Sequence, residues 1–221
     1  MMKGYWIFFI VLVSSPVVGQ FGFGFVTGLD SYQQQVRPES SDLQDSYRSV
    51  GSALLNPILG PKVWLGNRNF SLSLEAPINW GILAFDMDDF KGLGALSFPL
   101  GMKFNFGANS GFNDDQMMGF SFGGGLQYNR TELYGRTDEA PDIGFFKTYY
   151  GEAALGFGIG GADLQVYLRY GYGEEKAQSL NVGIVGSVNL KYFNAFKSKR
   201  EDMRKRREQR EGYSFNTEYF E

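Results

Sequence analysis

Between Leu96 and Phe106 apolar and polar positions alternate without a break. Leu96, Phe98, Leu100, Met102, Phe104 and Phe106 fall on one face, and Ser97, Pro99, Gly101, Lys103 and Asn105 on the other. A period of two sends successive side chains to opposite faces of a β-strand. The apolar face carries three phenylalanines, while the other carries a lysine and an asparagine.

The pattern recurs along the chain. Gln20–Val26 sets Phe21, Phe23 and Phe25 against Gly22 and Gly24, and a long polar segment over about 27–60 follows, holding Gln33-Gln34-Gln35 and Pro38-Glu39-Ser40-Ser41-Asp42. Lys62–Leu65 reads as a short strand closed by a Gly66-Asn67-Arg68 turn, after which Phe70, Leu72 and Leu74 oppose Ser71, Ser73 and Glu75. Trp80 and the acidic Asp86-Met87-Asp88-Asp89 belong to a second long connection. Past Phe106, residues 107–115 turn the chain, and Met118, Phe120, Phe122, Leu126 and Tyr128 alternate with Gly119, Ser121, Gly123, Gln127 and Asn129. The charged stretch 130–144 is a third long loop. Tyr149 to Ile159, Leu164 to Tyr172 and Leu180 to Tyr192 complete the set, joined by a Gly160–Asp163 hairpin and a short 173–178 loop.

These segments amount to about eight strands, the even number a single-chain bacterial barrel requires. The expected fold is therefore all-β: an eight-stranded antiparallel transmembrane β-barrel with a C-terminal basic tail. A soluble barrel or sandwich with so many outward aromatics would expose too much apolar surface to water.

The N-terminus supplies the address. Lys3, the apolar run Tyr5–Val13 and the small residues Val17-Val18-Gly19 before Gln20 read as an export signal, too short for a convincing spanning helix. The chain divides into a signal peptide over 1–19, a barrel over 20–193 and a periplasmic tail over 194–221, helical or disordered. With the mature N-terminus in the periplasm, three of the four outward-facing connections are the long polar ones, the asymmetry expected of an outer-membrane barrel. Tyr128, Tyr149, Tyr170 and Tyr172 fall on the lipid face at the outer ends, and Phe106 and Tyr192 at the opposite ends, like two interfacial bands. The expected location is the Gram-negative outer membrane, with loops outside and the C-terminus in the periplasm.

Two absences narrow the chemistry. Without cysteine there is no disulfide, thiolate metal site or thiol nucleophile; without histidine the commonest general base is missing. The chain is read as non-enzymatic, with no catalytic, cofactor-binding or metal site. An eight-stranded lumen is only wide enough to be filled by side chains. Its inward set includes Glu75, Lys103, Glu152, Arg169 and Lys191, expected to form an internal ion network because buried charges need partners. Glu152 and Arg169, on the two arms of the Gly160–Asp163 hairpin, are expected to be diagonal neighbours.

Two further segments are candidates for partner binding. The first loop holds Tyr32, Gln33, Gln34, Gln35, Arg37 and Tyr47, with an apolar patch from Ala53 to Leu59. The tail carries Lys197, Lys199, Arg200, Arg204, Lys205, Arg206, Arg207 and Arg210, then Tyr213, Phe215, Tyr219 and Phe220. In the periplasm such a tail suits an acidic partner, anionic lipid or cell-wall polymer; nucleic acid is in the wrong compartment.

The segment Leu96-Ser-Phe-Pro-Leu-Gly-Met-Lys-Phe-Asn-Phe106 resembles the strand common in small outer-membrane β-barrel domains of Bacteroidota type, the PorT-like group. The resemblance spans roughly residues 20–193 and leaves out the tail. It implies outer-membrane lipid as surroundings and a structural or accessory role in an envelope complex for secretion, assembly or gliding; the residues of the tail and first loop, read by themselves, suggest another envelope protein as partner. The competing expectation is a narrow porin-like transporter of ions or small solutes.

Overall fold

The computed structural model describes residues 19–37, 48–52, 56–85, 92–112, 116–135, 144–159 and 162–191. The export signal, the tail residues from 192 onward, Tyr47, Ala53–Leu55 and the acidic residues 86–89 lie outside the described residues.

Ten strand segments make one sheet: β1 (Gln20–Val36), β2 (Arg48–Ser52), β3 (Pro57–Gly66), β4 (Phe70–Glu75), β5 (Ile78–Gly81), β6 (Leu93–Gly107), β7 (Met118–Tyr134), β8 (Phe146–Ile159), β9 (Ala162–Gly173) and β10 (Gln178–Asn189). β2 and β3 both pair with β1, on its second and first halves, and so form one interrupted stave. β4 and β5 likewise share β3 and β6 as neighbours and form another. The remaining six strands pair in sequence order, and β10 returns to β1, with Gly24 opposite Asn189 and Val36 opposite Gln178. The result is a closed antiparallel barrel of eight staves. Closure pairs the staves around the ring, the condition for a β-structure to cross a bilayer, and β2, at one end of the barrel, pairs with β1 alone.

The wall is inside out relative to a soluble protein. Phe23, Leu74, Leu100, Met102, Phe122, Leu155, Val166, Leu168 and Ile184 are exposed on its outer face, while asparagine, glutamine, serine and charged residues are buried within. An outward apolar band around a polar interior is the arrangement that matches lipid outside and side chains inside. The band is flanked by aromatic residues at both rims: Phe21, Phe120 and Phe157 where β1 begins (the near rim), and Trp80, Tyr128, Tyr149, Tyr170 and Tyr172 at the other end (the far rim). Arg130 and Lys147, two charged residues at outward strand positions, stand at the far rim, their cations over the rings of Phe145 and Tyr149. The chain is thus a transmembrane β-barrel.

Several elements differ from the sequence reading. β1 runs ten residues past Val26, to Val36, so Tyr32–Gln35 belong to a strand rather than the first loop. The register slips between Asp30 and Tyr32. This bulge reverses the parity, so that Asp30 is buried on one side of it and Gln33 and Gln35 on the other. Residues expected in the apolar loop patch also lie in the wall: Ile58 is buried and Leu59 exposed, on successive positions of β3. Trp80, expected in a connection, lies on β5. The 107–115 turn proves to be more than a turn. A short 3-10 helix, η1 (Ala108–Ser110), folds into the near mouth, and Ala108, Asn109, Ser110 and Phe112 are all buried there. Gly111 has φ 74°, and a Cβ on it would lie 2.7 Å from Trp64 Nε1, so both its backbone and its surroundings call for glycine.

Candidate functional site: the filled lumen

Strand parity delivers the interior residues, and adjacent strands bring them together in layers. The middle layer is ionic. Glu152 and Arg169 lie directly opposite each other on β8 and β9, not diagonally, because Ile159 pairs with Ala162 and the connection is tighter than a Gly160–Asp163 turn. Arg169 donates from Nε and from Nη2 to Glu152 Oε2, each at 2.7 Å. Its guanidinium also lies over the rings of Tyr150 (4.8 Å) and Tyr167 (5.2 Å). Lys103, from β6, contacts both Glu152 and Glu75, and so joins β8 to β4.

Lys62, not anticipated from sequence, completes the group. Its Nζ lies 3.5 Å from Glu75 Oε2 and 5.2 Å from the centre of the Trp64 ring. The signal was available: Lys62 pairs with Glu75 across the tight 66–70 turn, and so shares its face. Four of the expected five network residues, Glu75, Lys103, Glu152 and Arg169, are therefore joined in one chain of contacts. Lys191 is not among them. β10 ends at Asn189, the alternation ends with it, and Lys191 is exposed beyond the rim. Counting parity past the end of the strand placed it wrongly.

On the far-rim side of this group, buried Asp30 accepts from the Tyr167 hydroxyl, from Asn79 Nδ2 (3.1 Å) and from Asn181 Nδ2 (2.7 Å). Toward the near rim, Asp163 accepts from Ser187 Oγ and Gln165 Nε2, at 2.7 and 2.9 Å. Neither aspartate stood out in the sequence, where Asp30 lay in a presumed loop and Asp163 in a hairpin. A third layer nearer the far rim is uncharged: Gln127 donates to Asn129, Asn129 to Thr148, and Thr148 meets Ser179 at 3.0 Å.

Described residues fill the near mouth and cross the far one. At the near rim η1 carries Asn109, which donates to Ser121 Oγ (2.7 Å), and Ser110, which donates to the Arg68 carbonyl (2.8 Å); Asn189 donates to the Gly111 carbonyl (2.9 Å). At the far rim Arg37, just past β1, meets Glu132 on β7 and also donates to the Thr131 hydroxyl and carbonyl. Each of these charged side chains faces an opposite charge or a set of hydrogen-bond donors. Among the described residues, no cluster of three or more histidine, cysteine or carboxylate groups is placed to hold a metal ion.

No family model matches the chain, and no curated protein matches it by sequence. Solved barrels do resemble it. The attachment invasion locus protein of Yersinia pestis superposes at a TM-score of 0.40 with 9% identity, covering 76% of this chain and 98% of that one. Neisserial surface protein A gives 0.41 with 14% identity over 78% and 99%. The outer membrane protein OprG from Pseudomonas aeruginosa gives 0.36 with 12% identity over 77% and 92%.

Proposed function

We propose that this chain is a non-enzymatic outer-membrane barrel with a sealed lumen, acting as a structural or accessory subunit of a cell-envelope complex. The observation that carries the reading is the interior itself. Its charges are paired across the barrel by Lys62, Glu75, Lys103, Glu152 and Arg169, and a helical turn fills the near mouth. A lumen cross-linked in this way lends stiffness to the wall and leaves no continuous aqueous path. Contact with partners then falls to the loops and the tail, since the wall faces lipid. The near rim is assigned to the periplasm, because the long connections lie at the far rim. The resemblance of Leu96–Phe106 to the PorT-like strand supports an envelope-complex role.

Planar-bilayer recording of the purified full-length barrel tests this. The expected result is a silent bilayer, with at most brief, rare openings. A stable open pore overturns the sealed-lumen reading and favours a narrow porin-like transporter of ions or small solutes.

A further inference from the structure

The two mouths are closed by different kinds of structure. The near mouth is filled by η1, buried and hydrogen-bonded to several strands. Among the described residues, the far mouth is crossed by a bar, the Arg37–Glu132 ion pair. In the eight-stave ring β1 and β7 are diametrically opposed, and Arg37 spans between them to reach Glu132 and Thr131. Both charges are 5% exposed.

The backbone under the bar is strained. Glu132 has φ 47°, in the left-handed region that a glutamate rarely adopts, and Gly94 on the neighbouring β6 has φ 85°. Between them the β6–β7 register slips, and Thr131 and Glu132, consecutive in sequence, are both buried. The local distortion is what aims Glu132 at Arg37.

Beneath the bar lies the uncharged layer, and it is incompletely satisfied. Among the described residues, the amides of Gln33 and Gln35, Ser97 Oγ and Gln127 Oε1 are buried with no hydrogen-bond partner. Buried polar groups without partners lose free energy relative to a hydrated state. The ionic layer further in also holds two atoms without a hydrogen-bond partner, the Tyr150 hydroxyl and Arg169 Nη1, but its charges meet one another and tie β3, β4, β6, β8 and β9 together.

From this we infer that Arg37 and Glu132 form a latch, and that its release turns the far half of the lumen into a blind, water-filled vestibule ending at the Lys62–Glu75–Lys103–Glu152–Arg169 layer. Opening hydrates Gln33, Gln35, Ser97 and Gln127 and relaxes the turn at Glu132. It creates no through-pore, so the inference stands beside the sealed-lumen reading and is tested separately from it.

The chain has no cysteine, so single cysteines report solvent access directly. Ser97→Cys places a thiol in the uncharged layer, where the serine hydroxyl makes no hydrogen bond to lose. Ser71→Cys places one on the other side of the ionic layer. A membrane-impermeant maleimide is applied to full-length protein in liposomes, with folding of each variant checked by heat-modified gel mobility. With the latch intact both thiols label slowly. Adding Glu132→Gln raises the labelling rate at Ser97→Cys at least ten-fold and leaves Ser71→Cys unchanged. The charge-exchanged pair Arg37→Glu with Glu132→Arg restores slow labelling, which guards against general loosening. Equal rates at Ser97→Cys with and without Glu132→Gln overturn the latch, as does rapid labelling of Ser97→Cys with Arg37 and Glu132 both in place. Labelling of Ser71→Cys in the Glu132→Gln background overturns the blind vestibule.

Discussion

Glu152 and Arg169 face each other across β8 and β9, with two hydrogen bonds of 2.7 Å and the guanidinium between two tyrosine rings. Both are almost wholly buried. Breaking a buried pair from one side leaves an uncompensated charge and costs about 3–5 kcal/mol. Arg169→Ala is therefore expected to lower the urea midpoint of the micelle-folded barrel and to weaken its resistance to heat in gel mobility. Glu152→Gln combined with Arg169→Gln removes both charges together and should cost less than the sum of the single changes, by about 0.5–3 kcal/mol. Strict additivity would mean the two residues contribute independently.

The near mouth offers a second test. Phe112 is fully buried beside η1, and truncating a buried phenylalanine to alanine typically costs about 3–5 kcal/mol. Gly111→Ala acts without removing any contact: its φ of 74° disfavours a side chain, and its Cβ would press on the Trp64 indole. Both variants are expected to reduce stability in the same unfolding assay. The indole fluorescence of Trp64 should also shift in Gly111→Ala, since it is the group displaced. A Gly111→Ala barrel with unchanged stability and emission would show that η1 does not press against Trp64.

The wall was legible in the sequence because a period of two survives wherever one face meets lipid. From Leu96 to Phe106 the large apolar side chains lie outside and Ser97, Lys103 and Asn105 inside; from Tyr149 to Phe157, Tyr149, Leu155 and Phe157 lie outside and Glu152 inside, with Tyr150 and the small Ala154 also turned inward. Legibility failed where lipid stopped dictating the outer face. Past Leu29 the outward positions of β1 are mostly polar, Ser31, Tyr32 and Gln34 before Val36, and the slip at Ser31 resets the parity, so the strand passed for a loop. The interior was legible only as far as parity could be counted. Glu75, Lys103, Glu152 and Arg169 followed from position, whereas Lys191 lies past the last pairing of β10. Burial of Asn109 and Ser110 depends on a lumen that closes around them from strands distant in sequence, and nothing in residues 107–115 alone distinguishes a plug from a turn.

The tail leads to a prediction of a different kind. Its eight basic residues between Lys197 and Arg210 and the aromatic end at Tyr213–Phe220 suit a periplasmic acidic partner. Deleting everything after Phe193 removes this segment while leaving every described strand intact. Affinity purification of both forms from native membranes is expected to recover a stoichiometric envelope protein with the full-length chain and to lose it with the deletion. Identical preparations would leave the tail as a solvated segment.

Leu100 lies midway along β6, outward and exposed between two aromatic rims. If that face meets hydrocarbon, a charge there has no water to meet and no interior partner. A charged residue at the bilayer midplane of a barrel costs about 2–4 kcal/mol, falling to about 0–1 kcal/mol near the interfaces. Leu100→Arg should therefore destabilise the barrel strongly when it is folded into lipid vesicles. Met118→Arg, equally outward but at the near rim where β7 begins, should be nearly neutral in the same assay. The contrast between the two positions is the informative quantity, because each removes a similar apolar side chain and adds the same charge. Equal costs at both depths would mean that the outer face is not crossing a bilayer along the barrel axis.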